Sequence, residues 1–242
     1  MNYKISVIIR TYNEEKHIEE VLKSLKQQSY PNYEIIIVDS ESTDKTIQIV
    51  KKYDVKIVKI LKKDFNYSYA SNIGVQNSNG DICCFLSGHS VPFNDNYLEL
   101  INDIFQNVKI GGCYGDTIAL EDGSITEKAF NMLGYLKNKI KNKDKIIYEK
   151  EIHPGILSCS NAAIRKELLL KYPFANELGK NGGEDVEVAY RIMKEKLEIV
   201  QVSDLLVKHS HGKGFFKFIK EFKNWRIMYG EVLKYIENKE IK

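Results

Sequence analysis

Two kinds of apolar pattern alternate along the N-terminal part of the chain. Residues 5–9 and 35–38 are unbroken apolar runs rich in Ile and Val, which is typical of strands buried on both faces. Between them, residues 14–28 place apolar side chains three and four positions apart, on one face of a helix: Ile18, Val21, Leu22 and Leu25. The pattern therefore predicts two parallel strands joined by a right-handed helical crossover.

The same alternation continues along the rest of the chain. It predicts further helices at 43–53, 65–77, 94–105 and from 184 onward, and further strands at 55–61, 81–86, 110–114 and 199–202. Strands that alternate with helices favour a mostly parallel central sheet flanked by helices, a Rossmann-like α/β fold. With 242 residues, the chain is long enough for one such domain with an extension.

Two basic stretches lie outside this alternation. Residues 137–150 carry six lysines and predict a mobile loop after a frayed helix, which is either a solvated surface or a flap beside a binding site. From Lys208 onward the chain has nine Lys and Arg against four Glu. Such a basic amphipathic helix packs on its own domain, on a second copy or on an anionic membrane surface. Its apolar stripe is Phe215, Phe218, Ile219, Phe222, Trp225, Tyr229, Val232, Leu233 and Ile236.

Charge and cysteine usage exclude several classes of protein. The 36 Lys and Arg against 33 Asp and Glu give a net charge of +3, which is too balanced for nucleic-acid binding. The four cysteines contain no C-x-x-C pair, and Cys83 and Cys84 stand in an apolar run, so we expect buried thiols in a reducing compartment. No run approaches the ~20 apolar residues of a membrane span, and Met1 leads into the first strand without a signal peptide. We therefore expect a cytoplasmic protein, soluble or peripheral at the inner face of the cell membrane.

Polar residues follow the first two predicted strands at the points where they end. Thr11, Tyr12, Asn13 and Glu14 follow the first strand, and Asp39 follows the second. Ligands of open parallel sheets bind beyond the carboxyl ends of the strands. An aromatic ring, an amide and an acid at one edge suit a nucleoside, although turn and capping residues have the same composition. A dinucleotide-dependent oxidoreductase is disfavoured, because no G-x-G-x-x-G motif follows the first strand.

These motifs resemble a known family. RTYNEE followed by IIIVDSESTD is similar to the opening of inverting family 2 glycosyltransferases, which transfer sugars from nucleotide-sugars and have the GT-A fold. The segment FNYSYASNIGVQNSNGDI resembles the family's A-R-N-x-G stretch, although Ser71 stands where an Arg is common. The resemblance implies a donor nucleotide site formed by Thr11, Tyr12, Asn13, Glu14, Asp39 and Asn72.

The fourth predicted strand is followed by a departure from the family pattern. The family reads L-D-A-D-D-x-P, with an acid that holds a divalent metal against the donor diphosphate, whereas Ser87 and His89 replace the acids in L-S-G-H-S-V-P. Mg²⁺ prefers oxygen ligands, whereas imidazole suits Mn²⁺ or Zn²⁺ better. Three interpretations stay open: His89 binds a softer metal, His89 donates directly to the diphosphate, or the site has lost activity. The resemblance implies Mn²⁺ or Mg²⁺, and the two substitutions leave the cofactor undecided.

Two histidines follow the last predicted strand. His209 and His211 resemble a histidine signature of the family, in which one His completes the metal site. Alternate residues of a strand share a face, so both imidazoles can address one point. The sequence does not choose between them.

The most specific match is G-E-D-x-E-x-x-x-R at residues 183–191. By resemblance, Asp185 falls at the position of the catalytic base, which must be ionised to take a proton. Residues 155–165 resemble the family's small-residue segment that lines the sugar pocket. The resemblance thus implies an acceptor or sugar pocket that contains Ser160, Asn161 and Glu184.

The expected protein is an inverting glycosyltransferase that moves a sugar from a UDP- or dTDP-sugar to a hydroxyl of a saccharide or lipid-linked acceptor, in cell-surface polysaccharide or glycolipid synthesis. We expect a GT-A domain at 1–212, with a nucleotide-binding half at about 1–92 and an acceptor half at about 93–212. Residues 213–242 would form the basic helix, packed on the domain, in a homodimer or on a membrane. The alternative is a catalytically silent sugar-nucleotide-binding or scaffolding homologue, because the usual metal-binding acids are missing.

Overall fold

The N-terminal half forms a parallel sheet around the first strand. The computed structural model describes residues 1–141, 146–180, 182–211 and 214–240. Strand β1 (Ile5–Thr11) pairs in parallel with β2 (Tyr33–Asp39), and β2 pairs in parallel with β3 (Lys56–Lys59). On its other side, β1 pairs in parallel with β4 (Ile82–Ser87). Parallel pairing aligns the carboxyl ends of these strands at one edge, where Thr11 is the register partner of Asp39.

The C-terminal half extends the same sheet with strands of mixed direction. These strands are β5 (Val91–Pro92), β6 (Ile110–Ile118), β7 (Ile146–Tyr148), β8 (Asn161–Arg165) and β9 (Glu198–Lys208). The strand order is β3-β2-β1-β4-β8-β6-β9-β5, and β7 pairs with β9. β8 lies antiparallel between β4 and β6, whereas β6 and β9 are parallel. The predicted α/β fold with a mostly parallel central sheet and a C-terminal helix is confirmed.

Helices pack on both faces of the sheet and bury two apolar clusters. They are α1 (Ile18–Lys26), α2 (Thr46–Val50), α3 (Tyr67–Gln76), α4 (Tyr97–Ile104), α5 (Ile125–Lys141), α6 (Lys166–Lys171), α7 (Glu184–Lys194) and α8 (Phe215–Glu240). The predicted stripe of α1 is fully buried in the first cluster. The second cluster joins α3, α6 and α7 with the C-terminal part of α8. The period of the apolar residues therefore predicted correctly which face of α1 packs on the sheet.

The prediction of a mobile loop after a frayed helix at 137–150 was wrong in two places. Helix α5 continues to Lys141, and β7 begins at Ile146; the residues between them, 142–145, lie outside the described residues. The helix begins with a reciprocal cap: the Ser124 N–H donates to Glu127 Oε2 at 3.0 Å, and the Glu127 N–H donates to Ser124 Oγ at 3.2 Å. Such a cap satisfies backbone donors of the first turn, which lysine content does not reveal.

Strand β8 was not predicted, because residues 161–165 lack an alternating pattern. All five residues are buried between β4 and β6, and the segment is rich in small side chains. Small residues suit close packing of a central strand, but they are equally common in loops. Pairing with strands far away in sequence therefore decided the structure of this segment.

The C-terminal helix packs on the domain through its second half. Val232 is fully buried and Ile236 is 9% exposed, whereas Trp225 and Leu233 of the predicted stripe are exposed. The side chains of Phe215, Phe218, Ile219 and Phe222 lie outside the described residues. Among the residues that the structure describes, no helix is long and apolar enough to cross a membrane.

Candidate active site

A cleft of about 440 Å³ opens where the second half of the sheet meets the start of α7. Its wall contains six of the residues that the sequence predicted for the site: Ser160, Asn161, Glu184, Asp185, His209 and His211. Apart from Asn72 on α3, the predicted nucleotide residues lie at or just after the carboxyl ends of β1 and β2. The structure therefore distributes the predicted site over two neighbouring regions, the cleft and the edge of the parallel sheet.

A buried carboxylate and an exposed ring mark the edge of the parallel sheet. Asp39 is 1% exposed, and its Oδ1 accepts a hydrogen bond from Thr11 Oγ1 at 3.1 Å. The Ser42 N–H donates to Asp39 Oδ2 at 3.0 Å. Tyr12 is exposed, and the Lys62 ammonium lies 4.3 Å from its ring centroid. An exposed ring and a hydrogen-bonded acid at the ends of neighbouring strands are two groups that can contact a nucleobase.

Asn13 joins the loops that follow β1 and β2. It has a positive φ of 55°, and its Oδ1 accepts from the Thr43 N–H at 2.8 Å. The Glu14 N–H donates to Thr46 Oγ1 at 2.7 Å. Asn and Asp tolerate the left-handed conformation, which explains Asn at this turn. The backbone around the predicted nucleotide site is therefore held by side chains of both loops.

Asn72 packs against a different segment from the other predicted nucleotide residues. Its Nδ2 donates to the Phe174 carbonyl at 2.9 Å, and its Oδ1 accepts from the Phe174 N–H at 3.0 Å. Both ends of the amide are occupied by one backbone unit. The structure thus shows Asn72 joining α3 to the segment before α7, and a role in nucleotide binding stays a prediction.

Three imidazoles meet at the boundary between the two regions. The ring centroid of His89 lies 4.8 Å from that of His209 and 5.0 Å from that of His211. The ring centroids of His209 and His211 are 4.7 Å apart. The His211 N–H donates to Glu127 Oε1 at 2.9 Å, so the capped start of α5 holds this loop. Sequence analysis left open which of the two later histidines faces His89, and the structure brings both to it.

The histidine cluster fits a divalent cation. His89 Nε2 is buried and has no hydrogen-bond partner among the described residues. One nitrogen from each of the three rings lies within 4.8 Å of the others. Neutral imidazole nitrogens are common metal ligands, and a buried polar atom without a partner is costly unless a ligand satisfies it. These residues would hold a metal at the end of β4.

Two acids and an arginine meet at the start of α7. Arg10 Nη1 lies 3.7 Å from Glu184 Oε1, and Glu184 is only 3% exposed. Burial raises the pKa of Glu184, the adjacent charge of Asp185 raises it further, and the Arg10 guanidinium lowers it. Burial also raises the pKa of Asp185, against the hydrogen bond from the Val186 N–H and the charge of Arg10. A carboxylate with a raised pKa is a stronger base, provided that it is ionised at working pH.

Asn161 and Ser160 lie on the wall of the cleft, where the Asn161 side chain bridges β6 and β9. The Asn161 Nδ2 donates to the carbonyls of Asp116 and Leu205, both at 2.9 Å, and the Tyr97 hydroxyl donates to Asn161 Oδ1 at 2.9 Å. These three hydrogen bonds fix the position of the Asn161 side chain. Ser160 Oγ, 3.0 Å from Ser158 Oγ, lies on the cleft wall and is partly exposed.

Arg10 is a site residue that sequence analysis missed. Its Nη1 donates to Ser71 Oγ at 3.3 Å and its Nη2 donates to the Cys159 carbonyl at 3.4 Å, while the guanidinium lies 5.1 Å from the Tyr67 ring centroid. Its cationic side chain thus lies beside Ser71, where the resembling family commonly has an Arg. The available signal was a charged residue at the end of an apolar strand.

A family comparison identifies the architecture that carries this cleft. The family model described as glycosyl transferase family 2 matches residues 6–172, more than half of the chain. The chain belongs to glycosyl transferase family 2. The match covers the carboxyl ends of β1 and β2 and the histidine after β4, and it ends before the acids of α7.

Relatives that the chain matches in sequence are named as glycosyltransferases. The chain is 39% identical over 116 residues to the dolichyl N-acetyl-alpha-D-glucosaminyl phosphate 3-beta-D-2,3-diacetamido-2,3-dideoxy-beta-D-glucuronosyltransferase of Methanococcus voltae. The aligned residues are 45% of this chain and 36% of that relative. The chain thus spans about a third of the length of this family 2 relative.

Two solved structures share the GT-A fold. The complex of Staphylococcus aureus TarS 1-349 with UDP-GlcNAc has a TM-score of 0.62 and 22% identity, over 88% of this chain and 60% of that one. The mannosyltransferase PcManGT of Pyrobaculum calidifontis, in complex with GDP-Man and Mn²⁺, has a TM-score of 0.64 and 20% identity, over 96% and 62% of the two chains. At these identities, the comparison shows the fold of this family 2 chain.

Proposed function

We propose that this chain transfers a sugar, with inversion, from a nucleotide-diphospho-sugar to a hydroxyl acceptor. The observation that carries the proposal is Asp185, a partly exposed carboxylate on the wall of the cleft with a pKa raised by burial. In GT-A terms, residues up to about 92 would bind the nucleotide and residues 93–212 would bind the acceptor. The proposal is supported by the family and by the glycosyltransferase activity named for its relatives.

The donor nucleoside would bind at the carboxyl ends of β1 and β2. Tyr12 offers a ring for stacking and Asp39 offers an acceptor for a base N–H. UDP-GlcNAc in the TarS complex and GDP-Man in the PcManGT complex support a nucleotide-sugar donor of this general kind. We propose a UDP- or dTDP-sugar, whose pyrimidine imide N–H would donate to the Asp39 carboxylate.

The reaction would proceed by direct displacement at the anomeric carbon. The acceptor hydroxyl oxygen forms the new bond to this carbon from the face opposite the nucleotide, and the bond to the diphosphate oxygen breaks with its electron pair. Asp185 takes the hydroxyl proton as the new bond forms. Arg10 would offset the negative charges of Glu184 and Asp185. Ser160 on the cleft wall would orient the sugar.

The diphosphate would lie beside the histidine cluster. His89 lies two residues after the end of β4, between the ends of the parallel strands and the cleft, and His209 and His211 complete the cluster. A divalent cation held there would supply positive charge to offset the charge of the leaving diphosphate. Mn²⁺ in the PcManGT complex supports a metal at such a site in the GT-A fold.

We further propose that the acceptor is presented at an anionic membrane surface. Helix α5 exposes Leu133, Leu136 and Ile140 and contains four Lys against one Glu. Trp225 of α8 is 42% exposed and lines the cleft. Exposed apolar side chains combined with basic ones suit the interface of an anionic bilayer. The dolichyl phosphate in the name of the Methanococcus voltae relative supports a lipid-linked acceptor.

The decisive experiment separates donor binding from transfer in one variant. Thermal shifts with nucleoside diphosphates and their sugars, with and without Mn²⁺, identify the donor, because a ligand that binds only the folded state raises stability with its concentration. We then expect Asp185→Asn to bind the donor normally and to transfer about 10²–10⁴-fold more slowly. The control is Asp64→Asn, an exposed acid that lies outside the cleft wall. Unchanged transfer in Asp185→Asn would remove Asp185 as the base.

The same experiment tests the alternative of a silent homologue. Ser87 and His89 in place of two acids motivate it. A silent homologue would bind the nucleotide-sugar, and Asp185→Asn would change neither binding nor the absence of turnover. Transfer by the parent chain to any acceptor would exclude this alternative.

A further inference from the structure

Glu14 contacts a histidine across the boundary between the first and fourth strands. Glu14 Oε1 lies 2.9 Å from His89 Nδ1. The two side chains are 19% and 17% exposed, so water competes little for this contact. The backbone N–H of Glu14 is itself held by Thr46 Oγ1, which fixes the start of the side chain. The carboxylate therefore reaches His89 from a restrained backbone.

The contact depends on the glycine before His89. A Cβ atom added to Gly88 would lie 2.5 Å from Glu14 Cγ and 3.0 Å from its Cδ. The Gly88 N–H donates to the Arg10 carbonyl at 3.1 Å, so this backbone cannot easily retreat from Glu14. The absence of a side chain at this position allows the carboxylate to cross the strand end and reach the imidazole.

The hydrogen bond determines which nitrogen of His89 is available. A carboxylate accepts, so Nδ1 carries the proton and Nε2 of the neutral ring carries the lone pair. That Nε2 is buried and has no hydrogen-bond partner in the described part of the chain. Carboxylate–histidine pairs of this kind orient the ligand nitrogen in metal sites and raise its basicity.

The donor set of the cluster differs from an acidic metal site. The three candidate ligand atoms belong to His89, His209 and His211, and they lie within 4.8 Å of one another. Imidazole nitrogen is a ligand of intermediate softness that suits Zn²⁺, Co²⁺ and Mn²⁺, whereas Mg²⁺ requires oxygen ligands and loses its water reluctantly. Three imidazoles therefore discriminate against Mg²⁺ more strongly than carboxylates would.

We propose that the three histidines form an imidazole site that selects d-block divalent cations over Mg²⁺, with Glu14 as the positioning residue of His89. The inference rests on the proposed function only in placing the cation beside the donor diphosphate. Its chemistry follows from Glu14, Gly88 and the histidine cluster. It also assigns Glu14 to the metal site and not to the contacts with the nucleoside.

The test is metal binding by the full chain without donor or acceptor. Calorimetry of the metal-free protein should show one Co²⁺ or Zn²⁺ per chain and no binding of Mg²⁺ at the same concentration. Glu14→Gln should weaken Co²⁺ binding by about 10–100-fold and alter the visible absorption of the bound Co²⁺. Glu20→Gln, an exposed acid of α1, is the matched control and should match the parent. UDP binding in EDTA should be equal in Glu14→Gln and the parent.

Gly88→Ala provides a second variant that keeps the carboxylate. It should weaken Co²⁺ binding in the same direction, because the added Cβ displaces Glu14. Melting temperatures in EDTA identify any variant that fails to fold.

Equal binding of Mg²⁺ and Co²⁺, or parental Co²⁺ affinity in both variants, would overturn the proposal. Loss of UDP binding in Glu14→Gln would instead return Glu14 to the nucleoside site. Absence of sugar transfer leaves these measurements unaffected, so the two proposals fail separately.

Discussion

At the scale of single residues, this site is built from buried groups that each have a specific partner. Asp39 is held by Thr11 and Ser42, and Glu184 lies against Arg10. Buried charged groups are costly without partners, so each contact constrains both position and protonation. Loss of one group therefore also changes the environment of its partner.

Replacing Asp39 should weaken nucleotide binding. Its buried carboxylate lies at the carboxyl end of β2, in register with Thr11, the residue before the exposed Tyr12. Hydrogen bonds to charged groups contribute ~1.5–3 kcal/mol, so we expect Asp39→Asn and Asp39→Ala to bind UDP or dTDP about 10–100-fold more weakly. Calorimetry measures this, with Asp54→Ala, an exposed acid before β3, as control. Parental affinity in both Asp39 variants would contradict the assignment.

Transfer should depend on pH through Asp185. Burial raises its pKa, so the group becomes protonated at a higher pH than an ordinary aspartate. A protonated carboxyl cannot accept the acceptor proton, and the rate should therefore fall as pH drops from neutral toward the ordinary carboxyl range. The charge of Arg10 lowers this pKa, so Arg10→Gln should move the acid limb to higher pH. The rate of transfer at saturating donor, measured against pH, tests both statements; a limb that does not move would contradict them.

At the scale of elements, the ends of helices position the acids and the histidines. The cap of α5 at Ser124 holds Glu127, which in turn accepts from the His211 N–H. The N-terminus of α7 carries Glu184 and Asp185 directly after Gly183. The C-terminal half of α8 packs against this glycine, so a helix remote in sequence supports the start of α7.

Two glycine variants distinguish the packing of α8 against Gly183 from the ordinary effect of glycine on helix stability. Gly183 has a φ of 98°, and an added Cβ would lie 2.6 Å from Met228 Sδ and from Val232 Cγ2. We expect Gly183→Ala to destabilise the protein and to impair transfer, because it displaces the start of α7. An added Cβ at Gly230 of α8 meets nothing within 4 Å. Gly230→Ala should stabilise the fold by about 0.5–1 kcal/mol. Chemical denaturation measures both; equal effects of the two variants would contradict the packing argument.

At the scale of the whole molecule, charge is unevenly distributed. The chain has a net charge of +3, and α5 alone contributes four Lys against one Glu. The exposed apolar residues of α5 lie on the helix whose first turn holds Glu127 on the cleft wall. A basic and apolar surface beside the cleft would hold the protein near a lipid-linked acceptor.

This arrangement predicts binding to anionic vesicles. The full chain should sediment with vesicles that contain phosphatidylglycerol and not with phosphatidylcholine alone, and binding should weaken with salt. Leu133→Glu combined with Ile140→Glu should reduce binding, because both side chains are highly exposed on α5. Val108→Glu, an exposed apolar position before β6, is the control. Equal binding to neutral and anionic vesicles would contradict the prediction. It would also be contradicted if the double variant abolished a dimer and left vesicle binding unchanged.

The sequence by itself determined the elements whose signals are local. These signals are the unbroken apolar run of β1, the 3.6-residue period of α1 and the short acidic motif that opens α7, and each depends only on nearby side chains. The motifs around Asn13 and Asp185 identified the family for the same reason, because each is a short segment with a fixed local conformation. The family match confirms that identification.

The tertiary structure alone decided which distant residues meet. Pairing of β8 between β4 and β6 was invisible in its small-residue sequence, and β7 forms where residues 146–148 pair with the distant β9. The contact of Glu14 with His89 joins the ends of two parallel strands through the absence of a side chain at Gly88. Local patterns specify the direction of a side chain relative to its own element. The partner that it meets depends on strand order and register, which the packing of the whole chain determines.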